Sequence, residues 1–295
     1  MNETVNAILF GVLGLLPFIL TLLSQALIKK AVVRSIVQVI SVILFFAWMV
    51  LFYFHYQGYF SIYLSEFLTV SIFFIIYAAV LTVILVPIRF LTKIPSFIFR
   101  KLLHVSCFMS VIPVILLCKT EMLATFILIM FMFLISNAIG IVEPYEWYKT
   151  LFVEKRKGEV RSSFVLFFAV AALLTYLGWG KLYSPYLPIV SILAWGPGDG
   201  AAALIGIPFG KHKWKMKWVD QNKSIEGTIA NVVVTFISVV IALFLLTPLA
   251  WHLIVLFGLL VSLVCSFAEL VTRRGFDTLT VPLTAFIILS FTVLL

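Results

Sequence analysis

Eight ionisable side chains fall inside or beside long apolar runs: Arg100, Lys101, His104, Asp199, Lys223, Glu226, Glu269 and Asp277. A charged group at the centre of a membrane-spanning helix costs about 2.5–3.5 kcal/mol even on a lenient insertion scale. Two carboxylates facing lipid would therefore cost about 5–7 kcal/mol, against a whole-protein stability of about 5–15 kcal/mol. Such groups are expected to face one another or a ligand. Spacing agrees: Arg100 and His104 are four residues apart and share a helical face, as do Glu269 and Arg273. Asp199 lies in Trp195-Gly-Pro-Gly-Asp-Gly-Ala-Ala-Ala-Leu-Ile-Gly206-Ile-Pro-Phe-Gly210, where small residues let a backbone or a phosphate approach closely. The same small residues also suit close helix packing, but packing alone leaves Asp199 without a partner. Carboxylates with several bases suit Mg²⁺ bridging the phosphates of a nucleotide, because Mg²⁺ takes one or two carboxylates plus phosphate oxygens. No G-x-x-x-x-G-K-[ST] run occurs, and Gly196-Pro-Gly198 lacks the strand and third glycine of a dinucleotide fingerprint. The four histidines, His55, His104, His212 and His252, show no zinc-ligand pairing.

The elements that must position these groups are membrane helices. Of 295 residues, 63% are hydrophobic and 11% charged, and the mean hydropathy is +1.20, far from the balance of a water-soluble domain. The pattern gives an all-α, polytopic transmembrane bundle of about ten helices. They are expected near 5–27, 35–54, 66–88, 102–118, 122–142, 163–180, 186–206, 228–247, 250–271 and 279–295. The seventh, with Pro188, Gly196, Pro197, Gly198 and Gly200, reads as a broken helix, which is tolerated at membrane depth only where it is buried in protein or lines a polar cavity. The formal charge of +9 follows the membrane and not a nucleic-acid footprint. Lys29, Lys30 and Arg34, then Arg89, Lys93, Arg100 and Lys101, then Lys149, Lys155, Arg156, Lys157 and Arg161 fall in successive inner connections. Lys211, Lys213, Lys215, Lys217 and Lys223, then Arg273 and Arg274, follow on that side, while the other keeps only Lys119 and Lys181. The positive-inside rule therefore places the polar cluster at the cytosol and both termini outside. The first helix lacks a basic n-region and a cleavage site and reads as retained. Cys107, Cys118 and Cys265 lie in apolar segments without ligand spacing and read as packing residues.

One membrane domain is expected over 1–295, with its chemistry between about residues 100 and 285. In that stretch Arg100-Lys-Leu-Leu-His104, Gly198-Asp-Gly-Ala-Ala with Gly206 and Phe209-Gly210, Asn222-Lys-Ser-Ile-Glu-Gly227, and Glu269 with Phe276-Asp-Thr-Leu-Thr-Val-Pro282 follow in order. The set resembles the polyprenol kinase family, which includes dolichol, phytol and farnesol kinases and the CTP-dependent diacylglycerol kinase. Residues 1–99 carry none of it. The resemblance implies CTP as donor, a divalent cation such as Mg²⁺, a membrane-embedded lipid alcohol as acceptor, and importance for Arg100, Lys101, Asp199 and Gly206. Parts of it are also similar to phosphatidate cytidylyltransferase. That enzyme's late His-Gly-Gly and Asp-Arg-x-Asp elements are replaced here by Asp277-Thr-Leu-Thr-Val-Pro282, as in the kinases, although Thr278 stands where many kinases have Asn.

The expected mechanism follows. Asp199, helped by Glu226, Glu269 or Asp277, holds Mg²⁺ on the phosphates, and Lys223, Arg100 and Lys101 neutralise the transferred γ-phosphoryl group. His104 or a carboxylate is the general base. Nucleotide contacts are expected at Gly198, Gly200, Gly206, Gly210, Lys211, Lys223, Ser224 and Gly227. The alternation Lys211, Lys213, Lys215, Lys217 with Trp214 and Trp218 also suits lipid headgroups. The first choice of acceptor is phytol or another short to medium prenol. A diacylglycerol kinase, a cytidylyltransferase and an ion-coupled transporter are the competing readings, the last disfavoured by a polar cluster at one face and no visible repeat.

Overall fold

In a bilayer every backbone N–H and C=O must be satisfied within the segment, so long apolar runs close into helices. The computed structural model describes residues 3–28, 30–55, 57–92, 94–152, 154, 158–216, 219, 221, 223–272 and 276–294, leaving aside the side chains of 3–13, 26, 31, 52–55 and 57–62. Lys29, Lys93, Lys155, Arg156, Lys157, Lys217, Trp218, Asn222, Arg273 and Arg274, and with them the expected Glu269–Arg273 pairing, lie outside the described residues.

The elements are α1 (Glu3–Leu27), α2 (Ala31–His55), α3 (Gln57–Leu91), α4 (Ser96–Met109), α5 (Val111–Leu117), α6 (Glu121–Val142) and α7 (Glu146–Leu151). There follow α8 (Glu159–Thr175), a π-helical turn (Tyr176–Lys181), α9 (Tyr186–Phe209), α10 (Ile225–Leu246), α11 (Trp251–Val271), α12 (Asp277–Ser290) and a terminal 3₁₀ turn (Phe291–Leu294). Among the described residues nine helical segments are long and apolar enough to cross a membrane, and α1 adds a shorter apolar stretch, Gly14–Gln25. The protein is an all-α, polytopic membrane bundle.

Two expectations about helix integrity are corrected. The segment read as one helix over 102–118 divides into α4 and α5, because Pro113 lacks an N–H and its ring crowds the carbonyl four residues back, at Met109. The seventh helix, read as broken, is continuous: α9 runs through Pro197 and all three flanking glycines to Phe209. Pro197 removes one backbone donor from the helix, the partner of the Leu193 carbonyl, without ending it. Beside that carbonyl the Thr235 hydroxyl, shared with the Asn231 oxygen, reaches the carbonyl of Ala194 at 3.1 Å.

The chain divides into two compact units, residues 1–68 with 130–165, and 69–129 with 166–295. In the first, Phe133 packs on Phe18 and Phe45 with ring centroids at 4.5 and 4.8 Å. Thr21 there bonds Ser41 at 2.8 Å and donates to Asn137 at 3.1 Å. A buried Glu143–Arg161 ion pair (3.2 Å) and a Tyr148 hydroxyl donating to Glu154 (3.0 Å) organise the connection after α6. Burial, reinforced by the adjacent Glu154 carboxylate, pushes the Tyr148 phenol above its ordinary range.

The second unit is built around α9, the most buried of the spanning helices, which packs against α4, α10, α11 and α12. Leu187, Val190 and Ile192 of α9, Val239 and Leu243 of α10, Val261 and Cys265 of α11, and Ala285 and Leu289 of α12 form its core. The three cysteines are free, with Cys118 and Cys265 buried.

Candidate active site

The position of Asp199 follows from the glycines beside it. Successive residues of a helix point about 100° apart, so Gly198 and Gly200 face either side of Asp199. A Cβ on Gly198 would collide with Asn231 and Thr235 of α10, and one on Gly200 would come within 2.9 Å of Val105 of α4. The two glycines thus let α10 and α4 close on α9, and Asp199 projects into the angle between them. There Lys101 of α4 forms an ion pair with the Asp199 carboxylate, with side-chain exposures of only 15% and 9%.

A second ion pair lies beside the first. Lys223, just before α10, bonds Oε1 of Glu269 at 2.7 Å and also donates to the Glu269 main-chain carbonyl, near the C-terminus of α11. A cation there satisfies helix-end carbonyls that have no partner in their own helix. Asp277, the first residue of α12, completes the group: its charge acts on Asp199 and Glu269, and those of Lys101 and Lys223 act on it. His104, one turn beyond Lys101, lies close enough for its charge to act on Asp199. Arg100 is half-buried on the same turn of α4. Helices α4, α10 and α12 begin, and α11 ends, at this one end of the unit, which is why groups so distant in sequence converge.

Three carboxylates here face two lysine ammonium groups, with the Arg100 guanidinium on the same turn of α4 as Lys101. The named ion pairs engage Oδ2 of Asp199 and Oε1 of Glu269, so each carboxylate keeps a second oxygen outside its pair. Among the described residues no three acidic, histidine or cysteine side chains form a ready metal cage. A cation such as Mg²⁺ asks for only one or two carboxylates, and Asp199, Glu269 and Asp277 are the carboxylates that could supply them.

Glu226 is placed elsewhere. Its carboxylate accepts from the backbone N–H of Lys211 at 3.2 Å and of His212 at 3.1 Å, and bonds the His212 ring at 2.7 Å. It pins the segment that leads from α9 to α10, which is also held by an isolated bridge between Lys213 and Ser224. Ser224 caps α10, accepting from the Gly227 N–H at 3.1 Å and donating to the Gly206 carbonyl at 3.3 Å. Gly206 and Gly227 form the closest approach of α9 and α10: a Cβ on Gly227 would lie 2.8 Å from the Ala202 carbonyl and 3.0 Å from the Gly206 Cα. Gly210 packs on Ser224 in the same junction. The N–H of Ile225 is likewise taken, by the His212 carbonyl at 2.9 Å. Of the expected nucleotide contacts, Gly206, Gly210, Ser224 and Gly227 thus build the junction beside the ionic cluster, Gly198 and Gly200 flank Asp199, Lys223 belongs to the cluster, and Lys211 is exposed.

A polar layer that motif reading missed lies behind the cluster. Asn231 of α10 accepts from Thr235 at 2.9 Å and from Ser266 of α11 at 3.1 Å, all three being buried. The signal in the sequence was the four-residue spacing of Asn231 and Thr235 in an otherwise apolar run. Next to it, Trp195 stacks on Phe108 with ring centroids 3.9 Å apart.

Comparison with known proteins bears on what such a site does. Over 118 residues the chain is 33% identical to a phytol kinase from Synechocystis sp., a stretch covering 40% of this chain and 49% of that protein. The likeness is to a lipid-alcohol kinase. The chain spans about half the length of the curated relative it matches. No family model matches the chain, and no solved structure matches it.

Proposed function

We propose that this protein is a CTP-dependent lipid-alcohol kinase that phosphorylates a membrane-embedded prenol of the phytol, farnesol, geranylgeraniol or dolichol type at the cytosolic face. The carrying observation is the pair of nearly buried lysine–carboxylate contacts, Lys101–Asp199 and Lys223–Glu269, set beside Asp277 at one end of a membrane bundle. Its similarity to a phytol kinase supports the acceptor class. Orientation rests on the clustering of lysine and arginine at that same end.

In this mechanism the prenol hydroxyl oxygen attacks the γ-phosphorus in line, the bond to the β-phosphate oxygen breaks, and CDP leaves. Lys101, Lys223 and Arg100 neutralise charge on the phosphoryl oxygens, and the hydroxyl proton passes to His104 or to one of the carboxylates. Asp199, with Glu269 or Asp277, would hold Mg²⁺, which neutralises phosphate charge when bound. Because phosphoryl transfer asks little covalent chemistry of a protein, positioning and electrostatics supply most of the acceleration. The existing ion pairs keep both signs of charge in place within a poorly solvated site, where their fields act strongly. Glu226 sets the shape of the connection that carries Lys211 and Lys223. Lys211, Lys213 and Lys215 face the headgroup layer or the nucleotide's outer phosphates.

The test is a micelle assay of purified protein with Mg²⁺, CTP labelled at the γ-phosphate, ATP in parallel, and a panel of prenols and diacylglycerol. Label passing from CTP into a prenol with release of CDP is expected, and chelation of the cation should stop it. Label in diacylglycerol alone would change the acceptor. Pyrophosphate release with phosphatidic acid, and no labelled lipid, would replace the kinase by a cytidylyltransferase.

A further inference from the structure

Asn231 is about 96% buried, yet only one end of its carboxamide is engaged. Thr235 and Ser266 both occupy its oxygen, while its nitrogen has no hydrogen-bond partner among the described residues. That nitrogen is not one of the fully enclosed unpaired atoms among the described residues, so it keeps open space beside it. The direction of that end follows from the helix. Thr235 lies one turn farther from the start of α10, and side chains lean toward the helix N-terminus. With its oxygen held by Thr235 and Ser266, the amide nitrogen is turned toward the end that carries Lys223.

The neighbours of Asn231 are those of the ionic cluster. Gly198, adjacent to Asp199, has no room for a Cβ because the Thr235 hydroxyl and the Asn231 carboxamide oxygen are there. Ser266 precedes Glu269 by three residues on α11, about 4.5 Å along the axis and toward the membrane interior. Asn231 thus sits between the helices that carry Asp199 and Glu269, level with Asp199 and about one turn to the hydrocarbon side of Glu269. An acceptor with one hydroxyl on an apolar body arrives from that side, and its oxygen needs a donor before it reaches the charged groups.

We infer that the Asn231 amide is the acceptor-binding group of the site: its N–H donates to the hydroxyl oxygen of a membrane-embedded primary alcohol and holds that oxygen at the floor of the Asp199–Glu269 cluster. Thr235 and Ser266 are positioning residues that fix the amide's orientation. This inference rests on the lipid-alcohol kinase reading and adds the residue by which the alcohol is recognised.

Asn231→Ala, Asn231→Ser and Ser266→Ala are compared with the wild type, varying geranylgeraniol at saturating CTP and then CTP at saturating geranylgeraniol. Losing one hydrogen bond to the acceptor should raise the KM for the alcohol about tenfold in Asn231→Ala while leaving the KM for CTP within about twofold. Ser266→Ala should shift the same constant in the same direction by less. An unchanged alcohol KM in Asn231→Ala, or equal shifts for alcohol and CTP as a general loosening would give, overturns the inference. If Asn231→Ala is not recovered folded, an unchanged alcohol KM in Asn231→Ser overturns it. A wild type that transfers phosphate to no alcohol removes the kinase reading, and this inference with it, before any variant is compared.

Discussion

The sharpest test of the site is a mutant cycle on Lys101 and Asp199. Both side chains are at least 85% buried, and they meet in an ion pair. Removing one partner of such a pair typically costs about 3–5 kcal/mol, because the other charge is left buried, whereas replacing both costs far less. The neighbours refine that figure. Asp199→Asn leaves Glu269 and Asp277 facing Lys101 and Lys223, a balanced set whose mutual fields reach one another. Lys101→Met leaves three carboxylates facing the single ammonium of Lys223. Asp199→Asn is therefore expected near the low end, about 3 kcal/mol, and Lys101→Met nearer 5 kcal/mol. At about 2–4 °C per kcal/mol for a chain of this size, Asp199→Asn should lower the melting temperature in micelles by about 6–12 °C, and Lys101→Met by more. The double variant, which removes one charge of each sign and so keeps the wild-type balance, should be more stable than Lys101→Met alone. Turnover should be lost in all three. Thermal unfolding followed by intrinsic fluorescence, together with the γ-label assay, reads both effects. Additive losses in the double variant would refute the pairing, and normal turnover in Asp199→Asn would refute the role given to that carboxylate.

Three further predictions address the surroundings. Gly227→Ala should cost about 1–3 kcal/mol by forcing α9 and α10 apart, since the added Cβ meets the Ala202 carbonyl at 2.8 Å; an unchanged melting temperature would contradict the close crossing. Trp195→Phe should cost about 1–2 kcal/mol through the small void it leaves, because its indole nitrogen has no hydrogen-bond partner to lose among the described residues, while Phe108→Ala, which empties the ring stack beneath it, should cost about 3–5 kcal/mol. The two melting temperatures decide it, and equal losses would contradict this division. Glu226→Gln should lower kcat by less than about 100-fold, below the range for a group that transfers the proton, because Glu226 holds the Lys211–His212 backbone and not the carboxylate cluster; complete loss in steady-state assay would return Glu226 to the chemistry.

The helices were legible because a bilayer imposes one rule on every apolar run: close the backbone bonds within the segment. The two corrections arise where that rule is subtler than composition. Pro113 divides α4 from α5, while Pro197 does not divide α9, although both are prolines in apolar sequence. Burial does not separate them, since both prolines are partly exposed among buried neighbours; what α9 has in addition is packing against four helices. Spacing alone contains no such information.

The ionic groups were legible one by one, since the cost of an isolated charge in hydrocarbon predicts a partner for each. Their pairing was not. Asp199 and Lys101 are 98 residues apart, and Lys223 and Glu269 are 46 apart, so which base meets which acid depends on helix packing that no local pattern records. The glycines show the same limit from the other direction. A small residue beside a carboxylate suits a phosphate and suits a helix crossing equally well in sequence, and only the neighbour decides between them. At Gly206 and Gly227 the neighbour is each other's backbone. At Gly198 it is the Thr235 hydroxyl and the Asn231 carboxamide oxygen, so the space a missing Cβ leaves beside Asp199 is already filled by polar side chains. A glycine there makes room for an uncharged group at the edge of a charged cluster, which is what an acceptor hydroxyl arriving from the membrane requires.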